Sequence, residues 1–266
     1  MLNRTDIIYR YDGTWEGLLG CVFESFLHRT IPWDIQCWDE PQLSLIHGRV
    51  VETDLNKARR VADSLRTRIS VDFYDFIKQA YLTCLPDKEL QILILIHKAY
   101  RVGPQILDHL TDDTVSKLTG ATEQLRHEAH LLTGFIRFSL MGAILVSQIG
   151  PKNQVLPLLA PHFAQRYPRK AFLIHDQTHG MALVYRPYEW VIVPMTGLEM
   201  ADPDAEEMRC RTLWREYYDA IAVEGRENPR CRMSHMPKRY WRFMTEFQRE
   251  ERPILPYGQA RRSCNR

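Results

Sequence analysis

Between Arg226 and Phe247 the chain sets cations among aromatics at a density found nowhere else in it: Arg226, Arg230, Arg232, Lys238, Arg239 and Arg242 fall within seventeen residues, with Tyr240, Trp241, Phe243 and Phe247 beside them. Guanidinium and ammonium groups in such number can contact several phosphates, which gives salt-dependent affinity without reading sequence. Trp241 could add a stacking platform for an unpaired base. A plainer account also fits. Pro237 suits a first helical turn, and Tyr240, Phe243, Met244 and Phe247 then form an i, i+3, i+4, i+7 stripe that docks the helix, with Lys238, Arg239 and Arg242 on a solvated outer face. Only the cationic face is then evidence of a partner.

Three further groups could do chemistry. Glu123, His127 and His130 share one face of a predicted helix and could ligate a metal, although His127 and His130 are three apart and do not form the zincin pattern. The bland alternative is a solvated helix face. Arg137 lies between Phe135 and Phe138 in a predicted strand, where it is either open to a ligand on a sheet face or paired internally. Together with His130 it is a candidate for a polar site on the sheet. His175, Asp176 and His179 place a carboxylate between two imidazoles at a predicted hairpin, an arrangement able to do acid–base or metal work. Asp in a tight turn more simply satisfies backbone donors. The serines lack a nucleophile-elbow context, and no phosphate-binding or dinucleotide-binding glycine fingerprint occurs, which disfavours an ordinary hydrolase, NTPase or dehydrogenase.

The elements that must position these groups are legible from periodicity. Ile7 to Tyr11 reads as a strand, and Thr14 as the N-cap of a helix with Trp15, Leu18, Leu19, Val22, Phe23, Phe26 and Leu27 on one stripe. Residues 30–48 read as a loop carrying a short strand. From Asp54 to Leu132 the pattern is helical: Leu55, Ala58, Ala62, Leu65 and Ile69 form one stripe, Phe73, Phe76, Ile77, Ala80 and Tyr81 the next. A third helix opens near Pro86, although Ile92, Ile94 and Ile96 also alternate as in a strand. Val115, Leu118, Thr122, Leu125, Ala129 and Leu132 then make a packed seam. At Gly134 the period changes to about 2. Strands are expected at 135–138, 144–149, 171–175, 181–185 and 190–193, a helix at 155–167, and another in which Trp214, Tyr217, Tyr218 and Ile221 share a face. The whole is an α+β protein with a mostly helical N-terminal half and a small antiparallel sheet in the second half bracketed by helices. It reads as one compact domain over 1–250, with a helical sub-domain at 50–132 and a flexible basic tail at 251–266.

With 45% hydrophobic and 26% charged residues, the 266-residue chain has the composition of a globular protein. Formal net charge is +2, but from Arg226 onward eleven Lys and Arg face four Glu, a balance of +7 that leaves −5 for the preceding residues. A basic end on a mildly acidic body favours an anionic partner. The six cysteines form no Cys-x-x-Cys pair, so neither a disulfide framework nor a zinc or iron–sulfur site is expected. No cofactor is expected either. The N-terminus lacks a signal-peptide pattern and the longest apolar run, Ile92 to Ile96, is too short to span a bilayer, which predicts a soluble cytoplasmic protein with no membrane partner.

Tyr11-Asp-Gly-Thr-Trp-Glu-Gly-Leu-Leu, Arg126-His-Glu-Ala-His with Gly134-Phe-Ile-Arg-Phe, Leu156-Pro-Leu-Leu-Ala-Pro-His-Phe-Ala-Gln-Arg, Ile174-His-Asp, and Arg226-Glu-Asn-Pro through Met236-Pro-Lys-Arg-Tyr-Trp appear in that order. In these the chain resembles a bacterial family, a domain of unknown function, linked by association to DNA repair and DNA metabolism. The resemblance implies a neighbouring radical-SAM DNA modification or repair enzyme, and in some bacteria fusion to a uracil-DNA glycosylase-like domain. It spans Tyr9 to about Phe247. Two places depart from the pattern: Gln177-Thr-His-Gly stands where a Lys-Arg-Gly-like turn is expected, and Leu-Leu-Thr precedes Gly134 where a basic residue is usual. Both remove cations. The expectation is a DNA-metabolism accessory protein that binds nucleic acid or presents it to the radical-SAM partner, with Arg226, Arg230, Arg232, Lys238, Arg239 and Arg242 on phosphates. The alternatives are a metal-assisted hydrolase acting on damaged DNA or nucleotides, and a pure protein-interaction adaptor.

Overall fold

A computed structural model describes residues 3–38, 47–198, 203–221 and 229–248. The fold is α+β, and the chain divides into two compact units, residues 1–128 with 152–155, and residues 129–151 with 156–266. The tail expected at 251–266 lies outside the described residues.

In the first unit, strand β1 (Asn3–Arg4) pairs in parallel with β3 (Thr30–Ile31), and β2 (Ile7–Tyr11) is flanked in parallel by β4 (Asp34–Cys37) and β5 (His47–Val50). Parallel neighbours need a crossover, and helix α1 (Trp15–His28) supplies it between β2 and β4. The helix starts as its sequence requires: the Thr14 side chain accepts from the Gly17 amide at 3.0 Å. Leu18, Leu19 and Val22 are sealed under it at 2% exposure or less, whereas Leu27, on the expected stripe, is 61% exposed. Helices α2 (Leu55–Arg68), α3 (Val71–Tyr81) and α4 (Lys88–Val102) follow, α2 and α3 capped by the Asp54 and Ser70 side chains. Ile92, Leu93, Leu95 and Ile96 are all fully buried, so the strand-like alternation in α4 belongs to a helix enclosed on several sides.

Helix α5 (Asp113–Phe135) carries the expected seam, from Val115 through Leu132, buried at every step. It runs further than the periodicity suggests. The Ile136 amide still bonds the Leu132 carbonyl, so the strand expected at 135–138 is a helix end followed by an unpaired segment; Arg137 sits in that segment. Strand β6 begins only at Ser139 (Ser139–Met141).

The second unit is built on β6, β7 (Ile144–Ile149), β8 (Phe172–Asp176), β9 (Met181–Arg186) and β10 (Glu189–Pro194), in the order β10-β9-β8-β7-β6. Contrary to the all-antiparallel expectation, β7 and β8 run parallel, because helix α6 (Leu156–Arg166) crosses over between them. Phe138, Phe163, Phe172 and Tyr185 knit the sheet to this helix, with Phe172 stacked on Tyr185 at 4.6 Å. Helix α7 (Ala205–Ala220), capped by Asp204, buries none of its residues. Of the face expected to pack, Trp214, Tyr217 and Ile221 are 39%, 57% and 57% exposed.

The C-terminal cationic stretch is not the single α-helix expected. It is a short helix α8 (Pro229–His235) followed by a 3-10 turn at Lys238–Phe243, ended by extended Met244. With three residues per turn, Tyr240 shares a column with Phe243, Lys238 with Trp241 and Arg239 with Arg242. Tyr240 and Met244 are sealed at 1% and 0% exposure, while Phe243 and Phe247 are half-buried. No described helix is long and apolar enough to cross a membrane.

Candidate anion-binding site

The 3-10 turn and β7 wall a cavity of about 290 Å³ in the second unit, whose polar lining includes Arg137, Arg211, Arg242, Ser147, Gln148 and Thr245. Two of the cations anticipated from sequence, Arg137 and Arg242, thus face one space. The third, Arg211, is supplied by α7.

Each guanidinium is held differently. Arg137 is paired internally while lining the cavity: its Nε and Nη2 fork onto both oxygens of Glu246 at 3.2 and 2.7 Å, and Nη1 donates to the Gly134 and Ile136 carbonyls. Trp214 donates its indole N–H to Glu246 at 3.1 Å and lies 5.3 Å from the Arg137 guanidinium. Burial pushes the Glu246 carboxyl up, but the Arg137 hydrogen bonds and charge and the Trp214 donor outweigh it and hold the group below its ordinary value. Arg211 donates to Glu207 at 2.8 Å and to Ser139 at 2.7 Å. Arg242 is different again. Among the described residues it has no carboxylate partner and no side-chain hydrogen bond, and its guanidinium carbon lies 4.5 Å from the centre of the Phe243 ring.

Arg242 owes its position to a missing side chain. A Cβ on Gly150, at the end of β7, would lie 2.8 Å from Arg242 Nη2 and 3.0 Å from the Phe243 ring. Only glycine admits this approach without displacing one of them. On the opposite strand register from Gln148, Ser147 is 2% exposed and its Oγ has no hydrogen-bond partner among the described residues.

The other expected cations lie outside the cavity lining. Arg230 and Lys238 are exposed; Arg232 sits over Trp241 and Phe247 at 5.3 and 5.9 Å, and Lys238 over Trp241 at 5.9 Å. Arg239 donates to the Tyr240 hydroxyl. Trp241 stacks on Phe247 at 4.5 Å and donates to the Met236 carbonyl, so one of its faces is already covered. Arg226 lies outside the described residues.

The groups considered for metal chemistry are not gathered. Glu123, His127 and His130 are all exposed along α5, so neither His130, on the helix, nor Arg137, in the segment after it, is a strand residue of the sheet; among the described residues no three His, Cys, Asp or Glu side chains could hold a metal. The buried acid on that helix is Glu128, which accepts from the Lys152 and Asn153 amides at 3.0 and 2.9 Å. Asp176 behaves as a turn residue: one oxygen accepts from the Thr178 and His179 amides, the other from His179 Nδ1 at 2.6 Å. His175 points its Nε2 at the Met195 carbonyl, 3.1 Å away, which makes that nitrogen the donor and leaves Nδ1 buried without a partner.

Sequence reasoning missed Arg211, Glu207, Ser147 and Gln148. The i, i+4 spacing of Glu207 and Arg211 was a readable signal for a helix-surface pair. Glu246 was readable too, as the one acid in the Arg230 to Phe247 stretch. No curated protein matches the chain. A family model described as a domain of unknown function, DUF4130, matches residues 86–246, which include α5, the whole second-unit sheet, Arg211 and Arg242, and the chain belongs to that family.

Proposed function

We propose that this protein is a nucleic-acid-binding accessory protein of DNA metabolism, acting in the cytoplasm, that holds a strand by its phosphates and presents it to a radical-SAM partner enzyme. The observation that carries the reading is Arg242: a guanidinium with no carboxylate partner among the described residues, facing a polar cavity, with Arg230, Arg232, Lys238 and Arg239 along the same short segment. Such a cluster supplies backbone contacts and no base code, so binding should be insensitive to sequence. The partner rests on the resemblance described above. Fluorescence-anisotropy titration of single- and double-stranded DNA over a salt series tests the first part. A steep fall of affinity with salt is expected, roughly 0.9 in log–log slope per duplex phosphate contacted. Affinity that ignores salt, or that survives the triple change of Lys238, Arg239 and Arg242 to Ala, overturns it.

A second reading, a protein-interaction adaptor, is favoured by α7, where Leu213, Tyr217 and Ile221 lie one turn apart and are 55%, 57% and 57% exposed. Co-purification of the radical-SAM protein that is lost in Leu213→Glu/Tyr217→Glu, with DNA binding absent throughout, selects this reading over the first.

A further inference from the structure

Three guanidiniums line the cavity: Glu246 neutralises Arg137, Glu207 neutralises Arg211, and Arg242 alone of the three has no carboxylate partner among the described residues. We infer that the cavity selects a monoanionic phosphodiester, the link within a strand, over the phosphomonoester of a strand end. The inference rests on the nucleic-acid reading for its source of phosphate, but its chemistry stands on the cavity alone.

A phosphodiester carries one negative charge, which Arg242 balances. A terminal phosphate carries about −1.5 to −2 at neutral pH. Its second charge would find only guanidiniums already spoken for and, close behind them, the oxygens of Glu207 and Glu246. In a partly enclosed site like charges are screened far less than at the surface, so the excess is repelled. The donors suit the same ligand. A guanidinium has five N–H groups. Arg242 spends none of its own within the described protein, while Arg211 spends two, on Glu207 and Ser139. Two non-bridging oxygens can therefore be met by Arg242 as a fork, with Arg211 reaching one of them. Gly150 completes the arrangement by letting Arg242 and Phe243 lie against the backbone of β7.

Small probes separate the charge question from the strand. Dimethyl phosphate and phenyl phosphate are titrated at pH 7.5 into ¹⁵N-labelled protein, following the Gly150 amide and arginine Nε signals. Dimethyl phosphate is expected to move Gly150 and Arg242 and to bind at least severalfold tighter than phenyl phosphate. In Arg242→Ala that response disappears, and affinity for a 12-nucleotide strand falls about tenfold, as loss of a phosphate contact predicts. Glu207→Gln is the sharper variant, since it frees a second positive charge without removing a donor: the preference should move about tenfold toward phenyl phosphate. Gly150→Ala serves if Arg242→Ala fails to fold, and should weaken both probes by displacing Arg242.

Phenyl phosphate binding tighter than dimethyl phosphate in the unaltered protein overturns the inference, and so does a ratio that Glu207→Gln leaves where it was. If DNA binds with the expected salt dependence while Arg242→Ala changes nothing, the cavity assignment fails and the nucleic-acid reading survives. If dimethyl phosphate moves Arg242 but no oligonucleotide binds, the reverse holds.

Discussion

His97 in the first unit and Glu246 in the second are nearly equally sealed, at 5% and 4% exposure, yet one is kept neutral and the other charged. His97 meets no opposite charge. Its Nε2 lies 2.7 Å from Ser25 Oγ, whose own proton goes to the Thr30 carbonyl, and the Phe26 ring stacks on it at 3.9 Å. Burial therefore favours the neutral ring and pushes its pKa down to about 4. Glu246 meets Arg137 and Trp214, and stays ionised. The difference shows what each of these buried polar groups has to do: His97 only has to stop costing stability, whereas Glu246 orients a guanidinium beside a polar cavity.

Breaking the Arg137–Glu246 pair tests that contrast most severely. Glu246→Ala leaves a partly buried guanidinium and an indole N–H unpaired, a loss of about 3–5 kcal/mol by analogy with other buried pairs broken on one side. Chemical denaturation measures it. The double variant Arg137→Met/Glu246→Leu should be markedly more stable than Glu246→Ala, because no charge is then stranded. A double variant as unstable as the sum of the single changes would show that the two side chains act independently, and Glu246 would then be packing rather than pairing.

Next in size is a difference in acid response. His97 has its ordinary pKa of 6.5 in the unfolded chain and about 4 in the fold, so the unfolded state binds the extra proton between those values. Its contribution is complete above pH 6.5 and is lost as the pH falls toward 4. Glu246 is shifted down from 4.5, so its contribution is complete above that value and declines only below it. Asp12, Glu24 and Asp112 of the first unit are shifted in the same direction as Glu246. Hydrogen exchange resolved by segment should therefore show α1 and α4 loosening between pH 6.5 and 5 while β7 and the 3-10 turn hold. His97→Gln keeps a donor for Ser25 and should remove that early loosening. If the variant loosens over the same range as the parent, His97 is not its cause.

How much of this was legible in the sequence depended on the range of the interaction. The α5 seam was readable because its six positions obey one local period, and the cap of α1 because Thr14 and Gly17 are neighbours. Arg137 was misplaced in a strand because the short run from Phe135 to Phe138 reads plausibly as one, and nothing local announces that the helix persists to Phe135. Its partner lies 109 residues away, beyond any periodicity. For the same reason the late cations could be seen but not weighed: the sequence shows every positive charge, whereas the site depends on which of them a distant carboxylate has already neutralised. The cationic stretch also looked like one amphipathic helix, and the 3-10 turn redistributes the same side chains into three columns.

The smallest effect is expected at Glu24, a second buried-looking acid that isolates what Trp214 and enclosure add at Glu246. Lys57, Arg49 and His28 all approach Glu24, at 2.9, 3.3 and 3.3 Å, and the Lys57 hydrogen bond is the main reason its carboxyl lies below the ordinary value. Two cations and an imidazole crowd this one acid. Their side chains are 39–42% exposed, however, so water and salt screen each attraction, and removing the acid leaves cations that solvate readily. Glu24→Gln should cost about 1 kcal/mol or less and become still milder in high salt, whereas Glu246→Gln should cost more and change little with salt. Parallel urea titrations of the two variants at low and high salt decide the matter. Equal costs for both would mean that the number of charges around an acid matters more than its enclosure, and would undo the contrast between the two units.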